Sequence, residues 1–284
     1  MVIACFNGAS TLTEQLDALA VQLLDEPWEV IVSDNGSSDG SQELVRKHSA
    51  SFPGLRLVDA SSRPGLSHAR NVGAAHAVGR SLAFCDQDDR VDPNWLTAMT
   101  TALREHDLVA GRLEHDLLNE PWTIEVRGRP QADELLAYET GTMPFAFGCT
   151  IGVRAELHRR LGGFDERFDR GAEDADYCWR AEQLGVALSF VPEAITHYRY
   201  RDTLAAIYRQ ARNYGESEAQ LCAKHRALGL TTAHPLRTGV RRWLGTARAF
   251  MRARSRGQLG VAVWLLGQRI GRLRGSIRNR VTLL

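Results

Sequence analysis

The stretch Leu82-Ala83-Phe84-Cys85-Asp86-Gln87-Asp88-Asp89 is a short apolar run that ends in three carboxylates. An apolar run of this length indicates a buried strand of an α/β protein. Because residues i and i+2 of a strand point the same way, we expect Asp86 and Asp88 to project together from its end. Two adjacent like charges need a cation or a proton between them, and hard oxygen ligands favour Mg²⁺ or Mn²⁺. The alternative is that Asp89 or Asp92 simply caps the next helix.

Strand-like and helix-like segments alternate along the chain, which indicates a mostly parallel sheet covered by helices on both faces. The predicted fold class is therefore α/β, with a Rossmann-like sheet. In such sheets ligands bind beyond the carboxyl ends of the strands. Asn7, Asp34 and Asp86 each follow a predicted strand, so we expect them to share one edge of the sheet.

The predicted strands cover residues 2–6, 29–32, 55–58 and 188–191, beside the strand that enters Asp86. Between residues 113 and 148 the pattern is less regular. In this region we expect further, antiparallel strands, which would contain the apolar residues Leu113, Trp122, Ile124 and Val126.

The chain has 284 residues, of which 44% are hydrophobic and 24% charged, so one large globular domain with an extension is expected. Its five cysteines form no CxxC pair, which argues against a disulfide framework or a zinc site and is typical of a reducing compartment. No signal peptide is visible, and the longest apolar stretch, residues 259–266, is less than half of the roughly 20 residues that a membrane span needs. We therefore expect a cytoplasmic location, either free or peripheral on the cytoplasmic face of the membrane.

The C-terminal region is strongly basic. From Ala219 onward there are 14 Lys or Arg and no Asp or Glu, which leaves 21 basic and 34 acidic residues before it. We predict a catalytic domain at residues 1–230 and a basic, amphipathic helical extension at 231–284. One helical face would carry Arg237, Arg241, Arg248, Arg252 and Arg256, and the opposite face Trp243, Leu244, Ala247, Phe250 and Met251.

Such a helix either lies on an anionic membrane surface or packs its apolar face against the acidic catalytic body. The sequence leaves both open. Nucleic acid is not an expected partner, because no recognisable binding motif accompanies the charge.

Five motifs, in order, resemble the family 2 glycosyltransferases with a GT-A fold, and the likeness covers about residues 1–215. They are residues 4–8, residues 32–40, residues 65–73, the Asp86-Gln87-Asp88-Asp89 segment, and Gly162-Gly163-Phe164-Asp165-Glu166 with Glu173-Asp174. The resemblance implies that a nucleotide diphosphate donor, most commonly a UDP-sugar, gives its sugar with inversion to an acceptor hydroxyl. The acceptor would be a sugar or lipid-linked molecule of a cell-surface glycan.

The resemblance also implies roles for individual residues. Asp174 would be the base that deprotonates the acceptor, and Glu173 would orient the acceptor or share that role. A divalent metal would be held by Asp88, by Asp86 directly or through water, and by His197. The donor-binding residues would be Phe6, Asn7, Asp34, Arg70 and Asp86.

Simpler interpretations remain for two of these assignments. Glu173 and Asp174 would also suit the N-terminus of any helix, which favours acidic residues, and a lone histidine such as His197 is usually structural. Two rival functions are also open: a nucleotidyltransferase, and a non-catalytic module that binds a nucleotide sugar. The first usually has a Gly-rich, Lys/Arg-containing phosphate loop after the first strand, which residues 7–11 do not form, and the second would be expected to lack the metal or base carboxylates.

Overall fold

The computed structural model describes residues 1–52, 54–138, 143–228 and 235–283, with the backbone alone at 235–237. Its described strands form one eight-stranded sheet in the order β3-β2-β1-β4-β7-β6-β8-β5. They are β1 (Val2–Cys5), β2 (Val30–Asp34), β3 (Leu55–Asp59), β4 (Ser81–Asp86), β5 (Arg90–Val91), β6 (Leu108–Glu114), β7 (Ile151–Arg154) and β8 (Ser189–His197).

Helices follow most of the strands, as the alternating pattern predicts. They are α1 (Leu12–Ala20), α2 (Ser41–Ser49), α3 (Leu66–His76), α4 (Trp95–Glu105), α5 (Pro121–Arg127), α6 (Ala155–Leu161), α7 (Glu173–Gln183), α8 (Leu204–Lys224), α9 (Pro235–Arg252) and α10 (Arg256–Asn279). Among these described helices, none is long and apolar enough to cross a membrane.

Alternate residues of the central strands pack on opposite faces of the sheet. On one face Ile3 and Cys85 belong to a core that contains Trp95 of α4. On the other face Val2 and Phe84 belong to a core that contains Trp179 of α7. Burial on both faces explains why these strands are continuously apolar, and it confirms the predicted α/β fold class.

The parallel half of the sheet places the predicted site residues together. β1 lies between β2 and β4 and is parallel to both, with Cys5 opposite Asp34 and Ala4 opposite Asp86. The carboxyl ends of these strands therefore meet at one edge. The other half is mixed, because β7 runs antiparallel to both β4 and β6.

The predicted strands around Trp122, Ile124 and Val126 are wrong, because these residues lie in helix α5. Pro121 occupies a first-turn position of this helix, where its missing N–H costs no hydrogen bond. The helix packs against α10, and Val126 lies against Gly260 of that helix. This packing against a distant part of the chain favours a helix over the strand that the alternating apolar residues suggested. The prediction for Leu113 is confirmed, because this residue lies in strand β6.

The C-terminal helix α10 is part of the main body through close packing against α8. A Cβ atom on Gly267 or Gly275 would lie 2.7 Å from a backbone oxygen of α8, and one on Gly271 would overlap the carbonyl oxygen of Arg212. Arg272 also forms a buried, two-pronged ion pair with Glu218, at 2.8 and 3.0 Å. The predicted domain boundary between residues 230 and 231 lies outside the described residues.

We predict that Gly271→Ala destabilises the protein by about 1–3 kcal/mol, because the helices must separate to admit the methyl group. Gly245→Ala is the matched control: it lies within α9 with no atom near its added Cβ, and alanine is the better helix former by about 1 kcal/mol. Urea unfolding followed by tryptophan fluorescence measures both. Equal midpoints for Gly271→Ala and the wild type would contradict the close packing.

Candidate active site

The loop after β4 concentrates negative charge at the edge of the sheet. Asp89 is buried, and its Oδ1 accepts a hydrogen bond of 2.8 Å from the Arg199 backbone N–H. The other oxygen, Oδ2, is buried and has no hydrogen-bond partner among the described residues. Burial, together with the charges of Asp88 and Asp86, raises the pKa of Asp89 well above its usual value. Asp89 therefore links the loop to the segment after β8. It does not cap the next helix, α4.

Two arginines balance this charge. Arg70, fully enclosed on α3, donates to Asp86 Oδ1 at 2.8 Å and to Glu173 Oε1 at 3.0 Å. Burial alone would lower the pKa of Arg70, but the two carboxylates outweigh it and raise the pKa. Arg201, which follows β8, donates to Asp88 Oδ2 at 2.8 Å. Together they connect segments that are far apart in the chain.

A cleft of about 570 Å³ opens beside this loop. Phe6 is exposed in it and forms two backbone hydrogen bonds with the Gln87 amide, at 2.9 and 3.1 Å. Asn7 adopts a left-handed backbone conformation, with φ of 50°, and accepts a hydrogen bond from the Ser38 N–H. The cleft thus brings together the predicted donor residues Phe6, Asn7 and Asp86, and its lining also includes Asn35, Gly65, Leu66, Asp88 and Arg201.

Asp34 lies behind the cleft and does not line it. Its Oδ2 accepts three hydrogen bonds, from the Gly36 and Ser37 N–H groups and from the Gln42 amide. Its Oδ1 is buried without a partner in the described part of the chain. Asp34 therefore shapes the turn after β2, and its predicted contact with the donor stays a prediction.

The acidic loop has the chemistry of a site for a hard cation. Asp86, Asp89 and Cys149 form a cluster whose potential ligand atoms all lie within 4.8 Å of one another. Burial raises the pKa of the Cys149 thiol well above its usual value, so the thiol stays protonated and oxygen ligands remain. Burial also raises the pKa of Asp88, partly offset by Arg201. The carboxylates of Asp86, Asp88 and Asp89 are hard oxygen ligands of the kind that Mg²⁺ and Mn²⁺ prefer.

His197 is not in that cluster. Its Nδ1 lies 2.7 Å from Glu114 Oε2. A carboxylate on one ring nitrogen is the usual way to orient a metal-binding histidine so that its other nitrogen faces the ion. The predicted role of His197 as a ligand is compatible with this pair and stays a prediction.

A second cleft, of about 510 Å³, adjoins the first and shares Leu66, Asp86 and Arg201 with it. Glu173 and Asp174 line it at the first turn of α7. Asp174 Oδ2 accepts a hydrogen bond of 3.2 Å from the Gly148 N–H, and Oδ1 one of 2.8 Å from Ala175. The two clefts therefore meet at Asp86 and Arg201, with the carboxylate of Asp174 on one side only.

The environment of Asp174 makes it a weak acid. Burial and the neighbouring charge of Glu173 raise the pKa of Asp174 to about 7, although Arg70 opposes the shift. Ala172, just before the helix, has φ of 64°, a conformation that is costly for residues other than glycine. A carboxyl group with this pKa can exchange a proton near neutral pH.

The structure adds cleft residues that the sequence analysis missed. Arg201 is one of them, and Arg127 and Trp264 are others. The Arg127 guanidinium lies 3.7 Å from the centre of the Trp264 ring and makes no hydrogen bond or ion pair with the described residues. These three residues are far apart in the sequence, and Trp264 lies in the C-terminal helix α10. A short sequence motif therefore cannot reveal that they line one cleft.

The fold defines the class of protein as a GT-A fold. A mannosyltransferase from Pyrobaculum calidifontis, PcManGT, solved with GDP-Man and Mn²⁺, is similar with a TM-score of 0.63 and 20% identity, over 96% of this chain and 86% of that one. TarS from S. aureus, residues 1–349, solved with UDP-GlcNAc, is similar with a TM-score of 0.54 and 17% identity, over 99% and 91%. At such identities the likeness shows the fold.

The chain belongs to glycosyl transferase family 2. The model of that family matches residues 1–162, and the model of glycosyl transferase family group 2 matches residues 82–264. Glycosyltransferase AglE from Haloferax volcanii is 27% identical over 198 residues, which cover 69% of this chain. The match spans 64% of the length of AglE.

We predict that Arg70→Met lowers stability by about 3–5 kcal/mol at neutral pH, because it leaves the buried Glu173 charge without its partner. Urea unfolding at pH 8 measures this. The double variant Arg70→Met/Glu173→Gln is the control and should recover part of the stability at pH 8. If the double variant is no more stable than Arg70→Met, loss of the Arg70–Glu173 ion pair is not the source of the destabilisation.

Proposed function

We propose that the protein transfers a sugar from a nucleotide diphosphate donor to an acceptor hydroxyl, with inversion at the anomeric carbon. The observation that carries this proposal is the junction of the two clefts at Asp86 and Arg201, with Asp174 on the side away from Phe6 and Asn7. A donor in the first cleft would present its sugar at the junction, and an acceptor in the second would meet it beside Asp174.

The donor's base would lie against Phe6 and Asn35. Contact with Asp34 would require a rearrangement on binding, because Asp34 does not line the cleft and its Oδ1 is buried. Family resemblance favours a uridine nucleotide. However, the similar structures carry GDP-Man in one case and UDP-GlcNAc in the other, so guanosine and thymidine donors belong in any test. Arg201 would bind the pyrophosphate, whose geometry a guanidinium matches.

Asp88 and Asp86, with His197, would hold a divalent ion, Mn²⁺ or Mg²⁺. When bound, such an ion acts as a Lewis acid that stabilises the charge on the departing nucleotide diphosphate. Asp89 would lie close enough to Asp86 to add a further oxygen ligand.

Asp174 would take the proton from the acceptor hydroxyl as the oxygen attacks the anomeric carbon. The bond to the nucleotide diphosphate breaks in the same displacement, which inverts the configuration. Hydrogen bonds from Gly148 and Ala175 fix the Asp174 carboxylate. The bond to Arg70 fixes Glu173 beside it, so Glu173 would position the base and the acceptor without exchanging a proton itself.

The acceptor would be a sugar or a lipid-linked molecule of a cell-surface glycan. Its cleft is lined by aromatic rings, including Tyr138, Tyr214 and Trp264, which suit the apolar faces of sugar rings. Arg127 adds a positive charge without a counter-ion among the described residues. A cytoplasmic location stays a prediction.

We predict that one of UDP, GDP and dTDP binds tightly in the presence of Mn²⁺ and loses most of its affinity when EDTA is added. Isothermal titration calorimetry measures this directly. Asp88→Asn should weaken the metal-dependent part of binding at least tenfold, whereas Asp25→Asn, an exposed change of the same kind far from the clefts, should leave it unaltered. Binding of none of the three nucleotides would contradict the donor assignment.

We predict that Asp174→Asn abolishes transfer, with a rate loss of at least a hundredfold, while nucleotide binding survives. In the wild type, kcat/KM should fall tenfold per pH unit below about 7, because a protonated Asp174 cannot accept a proton. Nucleotide binding at saturating Mn²⁺ over the same pH range is the control for loss of metal. Near-normal turnover by Asp174→Asn would rule out this base.

A further inference from the structure

The helix α9 contacts the rest of the protein through its small side chains. Gly239 and Thr246 are buried, and they lie about 20° apart on the helix when successive residues are about 100° apart. This side of α9 packs on α10. Val240, Leu244 and Met251 lie away from this side, so packing on the body accounts for only part of the apolar face.

The large apolar side chains of α9 form one stripe that is more than half exposed except at Trp243 and Phe250. Their positions follow the spacing of a single helical face. Their exposed fractions are 61% for Val240, 40% for Trp243, 53% for Leu244, 39% for Phe250 and 67% for Met251. Exposed apolar stripes of this length mark surfaces that bind something.

A row of arginines borders the stripe. Arg241, Arg248 and Arg252 fall within about 40° of one another on the helix, next to Leu244, and all three are exposed. The row therefore adjoins the apolar stripe and does not lie opposite it, as the sequence had suggested. No described residue forms an ion pair with these arginines, and the helix contains no acidic residue.

We propose that α9 is a membrane-surface helix that inserts its apolar stripe among lipid chains while its arginine row binds anionic headgroups. An apolar face bordered by basic residues is the arrangement that such helices use. A second copy of α9 is a poorer partner, because stripe-to-stripe packing would bring two arginine rows together without acidic residues between them. This inference concerns attachment and does not depend on the proposed reaction.

The test is cosedimentation of the full chain with vesicles of phosphatidylcholine, with and without 40 mol% phosphatidylglycerol. We expect binding to the anionic vesicles that weakens as salt increases, and little binding to phosphatidylcholine alone. Each basic residue near such a surface contributes about fivefold in affinity, the equivalent of about 1 kcal/mol. Arg241→Gln/Arg248→Gln should therefore bind about 30-fold more weakly.

Two further variants distinguish insertion of the apolar stripe from general attraction between a basic protein and an anionic vesicle. Arg159→Gln/Arg160→Gln removes the same charge from exposed positions on α6 and should bind like the wild type. Trp243→Ser/Met251→Ser keeps every charge and should lose at least tenfold. An equal loss for both arginine pairs, or no vesicle binding by the wild type, would overturn the proposal. So would a dimer in light scattering that Trp243→Ser dissociates without any change in vesicle binding.

Discussion

The crowding of carboxylates at one edge of the sheet is the constraint on which the rest of the site depends. Asp86, Asp88 and Asp89 end one strand, and Glu173 and Asp174 begin a helix beside them. So much like charge in a partly enclosed space is unfavourable unless cations offset it. Arg70 supplies one such cation from α3 and Arg201 another from the segment after β8. The fold must bring these segments together to offset the negative charge of the acidic residues.

The same constraint separates the carboxylates by function. Asp86 and Glu173 are held by Arg70, and Asp88 is held by Arg201. Burial and the charge of Glu173 raise the pKa of Asp174 to about 7, and its described hydrogen bonds come from backbone N–H groups. Neighbouring acids of similar intrinsic strength are thus placed in different environments. A pKa near neutrality is what the proposed role of Asp174 as a general base requires.

The sequence predicts the parallel half of the fold well, because its strands are buried on both faces and its motifs follow strand ends. Asn7, Asp86 and Asp88 reach one cleft for that reason. It fails at α5, where packing against α10 outweighs the alternating apolar residues Trp122, Ile124 and Val126. It also misses Arg127 and Trp264, because their proximity arises from tertiary contacts between helices and leaves no local pattern to detect.

Trp264 belongs to the last helix of the chain, α10, yet it lines the second cleft. The two clefts are therefore built from different parts of the sequence. The proposed donor cleft is built largely from the first ninety residues, together with Arg201, whereas much of the wall of the second cleft comes from α5, α8 and α10. Under the proposed function, changes in the late helices would alter which acceptor enters without disturbing the nucleotide. Such a division would let descendants of one ancestral sequence keep a common donor while diversifying the glycans they extend.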